Sequence, residues 1–270
     1  MNYRDMLSKE TILKAADTKW AAREVTYFDL TDSTNVQARI LAEEGAPHGT
    51  LVAADRQTGG KGRRGRSWDS PGGEGIFMSL LLRPEMNPMN ASMLTLIMAL
   101  AAEKGIRTVT GLESQIKWPN DLVLNKKKIC GILTEMSTDQ MEIKYVIIGT
   151  GINVCQEQFP EEIQTTATSL FLESGERIER SEIIGAVMEA FEEYYEIFMK
   201  TEDMSGLIEE YNQKLVNLNN EVCILAPTGD FRGISTGINA AGGLMVRLED
   251  GSETEVISGE VSVRGVYGYV

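Results

Sequence analysis

Hydrophobic and polar positions along this chain follow two periods, and the switches between them mark out its elements. Residues 24–30 (Glu-Val-Thr-Tyr-Phe-Asp-Leu) alternate as a strand does. Thr34 with Gln37 three residues later has the form of a capping box, which predicts a helix to Glu44 that Gly45 stops. Residues 50–54 read as a short buried strand, and a basic Gly-rich loop follows to about Gly75. Ile76–Leu82 is a further strand. Residues 87–104 carry Met93, Leu96, Ile97 and Leu100 at helical spacing, with Gly105 as the expected stop. Strand-like pieces follow at Gln115–Trp118, Lys128–Met136 and Ile143–Ile148. Ile183, Ile184, Val187, Met188, Phe191, Tyr194 and Phe198 then trace an amphipathic helix, and Leu207–Leu215 belongs to another.

After about Asn219 the texture changes to short strands (Val222–Leu225, Phe231–Ile238, Gly243–Leu248, Thr254–Ile257) punctuated at residues 227–230, 241–243 and 249–251. That pattern predicts a small β-barrel of SH3-like size. The expected architecture is α+β, a central mixed β-sheet with flanking helices plus this C-terminal barrel. The expected boundaries are 1–23 for a short N-terminal helical segment, 24–218 for the main domain and 219–270 for the β domain.

Composition narrows the classes. With 42% hydrophobic and 24% charged residues, the 270-residue chain can bury a full core. Its longest mainly apolar stretch, Met93–Ala102, is about half of what a membrane span needs, and no export signal stands at the N-terminus. Cys130, Cys155 and Cys223 are odd in number and lack CxxC spacing, which fits a reducing cytoplasm better than a disulfide framework or a zinc site. Net charge is −14, with 19 acids against 19 bases in residues 1–160 and 21 against 7 in residues 161–270. Such a balance disfavours a nucleic-acid partner. The local exception is Arg56, Lys61, Arg63, Arg64 and Arg66, within eleven residues that contain no acid. A small anion suits that loop better than a polymer does.

Five motifs could carry chemistry. The loop contains Gly60-x-Gly62-x-x-Gly65, yet no helix can start at Arg66-Ser-Trp-Asp-Ser-Pro, so it is neither a dinucleotide fingerprint nor a Walker loop. Its glycines and cations could form an anion nest, and composition alone allows a solvated loop equally well. Lys117-Trp-Pro-Asn-Asp121 presents Asn120 and Asp121 at a strand end or is a capped turn. Of Lys126-Lys-Lys128, only Lys128 runs directly into the apolar Ile129-Cys-Gly-Ile-Leu133, which gives it the register of a pocket residue. Gly149-Thr-Gly-Ile-Asn153 allows close approach to a strand end or marks a bulge. Asp32-Ser-Thr-Asn35 caps a helix, and the lone His48 sits in a Pro-His-Gly turn with no metal or triad partners.

In this order and spacing, these five motifs resemble the biotin–protein ligases, a resemblance that covers roughly residues 25–270. It implies an enzyme that joins biotin to MgATP, giving biotinyl-5′-AMP and pyrophosphate, and then biotinylates a lysine of an apo biotin carboxyl carrier domain of a carboxylase. It implies that Ser33, Thr34, Asn35 and Gln57 bind biotin, and that Lys61, Gly62 and Arg63 gather at its carboxylate and the α-phosphate. Lys128 bridges the two, and Gly131, Leu133 and Gly151 wall the pocket. On the ATP side it implies Trp68 near adenine with Arg66, Asn120 and Asn153, while Asp121 orients the incoming lysine. The resulting catalytic set is Lys128, Arg63 and Asp121, with Mg2+ carried by ATP. Some members add a winged helix-turn-helix of about 60 residues. Only about 23 residues precede the first strand here, so the monofunctional form without DNA or membrane partners is expected, in the cytoplasm and as a possible homodimer. Two rival readings are a lipoate ligase or octanoyltransferase, which the GKGRRGR loop opposes, and a non-catalytic biotin-binding regulator, which retention of cations at 61, 63 and 128 opposes.

Overall fold

The computed structural model describes residues 6–226, 229–257 and, as backbone, 262–265. Seven strands form one mixed sheet: β1 (Val25–Thr31), β2 (Leu51–Gln57), β3 (Gly75–Leu82), β4 (Gln115–Lys117), β5 (Asp121–Leu124), β6 (Lys127–Asp139) and β7 (Glu142–Asn153). Their order is β1-β2-β3-β7-β6-β5-β4. Only β1 and β2 are parallel, since α2 (Thr34–Glu43) carries the chain back across the sheet between them. All eight residues of β3 are buried, as a central strand covered on both faces requires. On one face lies the main core, built with α3 (Leu94–Thr110) and α5 (Arg180–Phe198); on the other, α2 covers Val52, Leu81 and Ile147 with Ala38 and Ala42.

The remaining helices are α1 (Lys9–Ala15), α4 (Leu170–Ser174) and α6 (Ile208–Lys214). α1 starts in a capping box between Ser8 and Thr11, buries Ile12 and packs on α5 at Gly185, where an added Cβ would come within 2.4 Å of the Ala15 carbonyl oxygen. No helix among the described residues is long and apolar enough to cross a membrane.

A second sheet follows: β8 (Glu221–Leu225), β9 (Phe231–Ile238), β10 (Leu244–Arg247), β11 (Glu253–Val256) and β12 (Ser262–Gly265), in the order β11-β10-β9-β8-β12. Every pairing in it is antiparallel, consistent with an SH3-like unit. Its inner residues Val222, Ile224, Leu244 and Val246 join the main core. The two sheets also meet where the Trp118 indole N–H donates to Gly242 O at 3.1 Å. Of the turn at residues 227–230, Pro227 and Thr228 lie outside the described residues.

Three readings of the sequence need correction. Residues 34–37 form no capping box: the cap of α2 is Ser33 without a side-chain bond, the Thr34 N–H donates to Gln57 Oε1 at 2.7 Å, and Gln37 donates to Asp32 Oδ1 instead. The segment after Asn87 begins as a 3-10 turn (Pro88–Met93) before α3 starts. Gly105 does not stop α3, which runs to Thr110 and ends at Gly111 in the left-handed conformation. Gly105 marks a helix crossing, where its missing side chain admits α5. An added Cβ would sit 2.6 Å from Val187 Cγ2 and 2.7 Å from Val187 N. Gly105→Ala should therefore lower stability by about 1–3 kcal/mol in urea unfolding, the cost of overpacking, instead of the gain of about 1 kcal/mol usual for glycine-to-alanine inside a helix.

Candidate active site

The strand ends of β2, β6 and β7 converge with the start of α2 around two cavities that share a wall. The narrow one encloses about 480 Å³ including its open mouth and is lined by Ser33, Thr34 and Asn35 from α2, Gln57 from β2 and the 3-10 turn residue Arg63 with Lys61 and Gly62 before it. Trp68, Asn120, Lys128, Gly131, Leu133 and Gly151 also line it. The second, about 1170 Å³, is bounded by Arg66, Trp68, Lys128 and Asn153 with the apolar Phe159, Pro160, Ile163 and Ala167. Trp68 and Lys128 belong to both cavities.

Two glycines make the shared wall possible. Gly131 and Gly151 are paired across β6 and β7. A Cβ on Gly151 would lie 2.6 Å from Trp68 Nε1, and one on Gly131 would lie 2.8 Å from Trp68 Cζ3. The indole therefore lies close against a patch of bare backbone, with its Nε1 buried and without a hydrogen-bond partner among the described residues. β7 runs without a bulge through this region, so its glycines serve close approach.

Lys128 stands at the junction. Its Nζ lies 2.6 Å from Asp121 Oδ1 and 5.2 Å from the Trp68 ring centroid, which suits a cation over an aromatic face. Asp121 lines neither cavity and reaches them through this ion pair. The hairpin β5–β6 distinguishes the three lysines: Asn125 and Lys126 take left-handed conformations in the turn, Lys127 opens the ladder opposite Leu124, and Lys128 follows opposite Val123.

The basic loop is held at its roots and closed on itself at its tip, where the Gly62 amide donates to Arg66 O at 2.7 Å and Lys61 pairs with Ser67. Gln57 Nε2 donates to Ser70 Oγ at 3.0 Å, and the Gly59 and Trp68 amides donate to Asp32 O (2.7 Å) and Gly60 O (2.9 Å). At the tip, Arg63 donates to Asn120 Oδ1 at 2.9 Å. Burial lowers the Arg63 pKa while Asp121 opposes that shift. Asn120 in turn donates to Ile132 O at 3.1 Å, so it faces the narrow cavity and not the second one. Asn153 is tied into the wall through Thr168 O at 3.0 Å.

Ile132, Gly149 and Thr150, from within two of the sequence motifs, also line the narrow cavity. Other neighbours escaped the sequence: Phe77 and Met78 line the narrow cavity, and Gln156, Phe159, Pro160, Ile163, Thr166 and Ala167 line the second. Residues 155–167 carry no periodic signal; only Phe159-Pro160, an apolar pair in polar surroundings, could have drawn attention. The lone His48 is structural: its Nδ1 accepts from Arg83 N at 3.0 Å, its ring packs against Trp20 and Tyr195, and burial lowers its pKa.

Known proteins resemble this chain in sequence and fold. Residues 27–153 match the biotin/lipoate A/B protein ligase family, and residues 218–264 match the biotin protein ligase C-terminal domain. The bifunctional ligase/repressor BirA of Bacillus subtilis is 37% identical over 247 residues, 91% of this chain and 76% of that protein. The biotin–[acetyl-CoA-carboxylase] ligase of Paracoccus denitrificans is 30% identical over 80% of this chain and 91% of its own. Among solved structures, biotin protein ligase from Aquifex aeolicus in complex with biotin and ATP superposes with a TM-score of 0.79 at 33% identity, covering 90% of this chain and 99% of that one. With the two cavities, their shared wall and both domain matches in place, the chain belongs to the biotin protein ligases and is an enzyme of that family.

Proposed function

We propose that this protein activates biotin with ATP to biotinyl-5′-AMP and transfers the biotinyl group to a lysine of an apo biotin carboxyl carrier domain. The observation that carries the reading is the position of Lys128, whose ammonium serves both cavities at the one place where they meet. Biotin would occupy the narrow cavity with its carboxylate toward Lys128, and the nucleotide would occupy the second, between Trp68 and the apolar residues 159–167. The Arg66 and Asn153 side chains support the nucleotide there. Asn120, in contrast, supports Arg63.

In the first half-reaction a carboxylate oxygen attacks the α-phosphorus, the bond from phosphorus to the bridging oxygen breaks, and pyrophosphate leaves. Two anions meet in that step, so fixed cations lower its barrier by offsetting charge as it builds on the phosphate oxygens. Lys128, Arg63 and Lys61 supply them, and Mg2+ arrives with the nucleotide. Asp121 keeps the Lys128 ammonium aimed while the site is empty of substrate. The intermediate is a mixed anhydride open to hydrolysis, and a loop anchored at Gln57 and Ser70 but held at its tip mainly by Arg63 can close over it. In the second half-reaction the acceptor amine attacks the acyl carbon, the acyl C–O bond breaks and AMP leaves. Asp121 orients the amine and receives its hydrogen bond. The net charge of −14 favours a protein acceptor over a polyanionic partner, and an ATP-fed cytoplasm suits both substrates.

Pyrophosphate release from ATP, measured on adding biotin, lipoate or octanoate with no carrier present, should show a burst near one per active site with biotin alone. Silence with all three acids would sink the adenylation reading. Lys128→Ala should reduce the burst rate by about 10²–10³-fold, the loss expected for one preorganised charge, with biotin binding kept within about tenfold. Arg63→Gly should release the loop tip and raise free biotinyl-AMP in solution, followed by thin-layer separation of labelled adenylate; no increase would refute the role of Arg63 as a closing contact.

A further inference from the structure

Behind the narrow cavity, a chain of side chains runs from Glu135 on β6 to the cavity wall. Asn35 Nδ2 donates to Glu135 Oε2 at 2.7 Å. Asn35 Oδ1 lies 2.6 Å from Ser79 Oγ, and Ser79 Oγ lies 2.8 Å from Thr34 Oγ1. Thr34 Oγ1 lies 3.2 Å from Gln57 Oε1, which already accepts the Thr34 N–H at 2.7 Å. Ser79 is fully buried, and Thr34 and Asn35 are 4% and 5% exposed, so solvent does not supply substitutes. Gly149 makes the packing possible, since a Cβ there would stand 2.1 Å from Asn35 Oδ1.

Proton counting gives this chain one direction. A carboxylate only accepts, so Glu135 forces the amide nitrogen of Asn35 toward itself and the carbonyl oxygen toward Ser79. A carbonyl oxygen also only accepts, so the single Ser79 proton goes to Asn35. The Thr34 hydroxyl then has two protein neighbours, Ser79 Oγ and Gln57 Oε1, and either accepts its single proton. What Thr34 offers the cavity is a lone pair. A ligand seated there must bring an N–H.

We propose that Glu135 is a specificity-determining positioning residue, which acts through Asn35 and Ser79 to hold Thr34 as an acceptor and so selects a cyclic urea over rings that lack the N–H. The inference rests on the reading of the narrow cavity as the biotin site and deepens it. A buried acceptor left facing another acceptor forfeits its hydrogen bond and adds repulsion, which is why sites built to bond an N–H reject analogues without it. Replacing Glu135 by Gln removes the directionality while keeping shape and a hydrogen bond to Asn35. The Gln amide can donate to a turned-over Asn35, whose nitrogen then donates to Ser79. Ser79 donates to Thr34, and Thr34 is free to donate to the ligand.

The test is calorimetric titration of the full-length protein, without ATP, with biotin and with the two cyclic carbamate analogues in which one or the other ureido N–H is replaced by oxygen. Wild-type protein should prefer biotin over the more strongly rejected carbamate by on the order of 10²-fold. In Glu135→Gln that preference should shrink by about tenfold or more, as the Thr34 hydroxyl turns to donate. Ser79→Ala, which cuts the chain without touching the ligand, should shrink it similarly and serves if the Gln variant does not fold. A merely structural role would weaken biotin and carbamate alike and leave their ratio unchanged in both variants; that result overturns the proposal. Wild-type protein that binds biotin with no preference over either carbamate overturns it too. Failure of wild-type protein to bind biotin at all would overturn the assignment of the cavity itself, and the inference with it.

Discussion

The close approach of Trp68 to the backbone of Gly131 and Gly151 is the contact on which the rest of the site depends. An indole cannot come this close to the backbone of paired strands unless both facing residues lack a Cβ, and here both do. Once seated, the ring separates a small polar cavity from a larger apolar one and puts its π-face beneath Lys128. On the proposed reading, two substrates of different character would thereby get separate compartments, with their reacting ends meeting at one cation.

That arrangement calls for a loop held firmly at its roots. Firmness comes from both faces of the sheet. On the α2 side, Gln57 joins the start of the helix to Ser70 near the end of the loop. On the α5 side, the fully buried Arg180 donates to Asp55 Oδ1 at 2.8 Å and to Gly75 O at 3.0 Å, and the same carboxylate oxygen accepts from the Gly73 amide. Breaking a buried ion pair of this kind leaves an uncompensated charge, so it resists opening. The tip, with Arg64 in a left-handed conformation and Gly65 beside it, is spanned mainly by Arg63 on Asn120.

Much of this was legible in one dimension because the relevant signals are local. Strand alternation, the stop at Gly45 and the amphipathic stripe of α5 all depend on neighbours within a turn or two. So did the register argument that set Lys128 apart from Lys126 and Lys127, since it needed only the apolar run that follows. The readings that failed involved competition from afar. Thr34 and Gln37 have the spacing of a capping box, but Gln57 takes the Thr34 amide and Asp32 takes Gln37. Gly105 has the look of a helix stop, but α5 needed the space. Residues 155–167 show no period because they line a cavity instead of packing as an element.

The sequence by itself determined the inventory: six of the seven core strands in outline (all but β5), the helix that returns between the first two, a terminal β unit, and a basic, glycine-rich loop suited to an anion. These follow from period, turn chemistry and charge, which neighbouring residues express together. Only the tertiary structure decided which glycines face which rings, and which of the three hairpin lysines meets Asp121. It alone decided the direction in which protons run between Glu135 and Thr34. Those outcomes depend on contacts between residues up to about a hundred positions apart, as Asn35 and Glu135 are. Such pairs are brought together by the pleat and register of a folded sheet, and no local pattern along the chain encodes them.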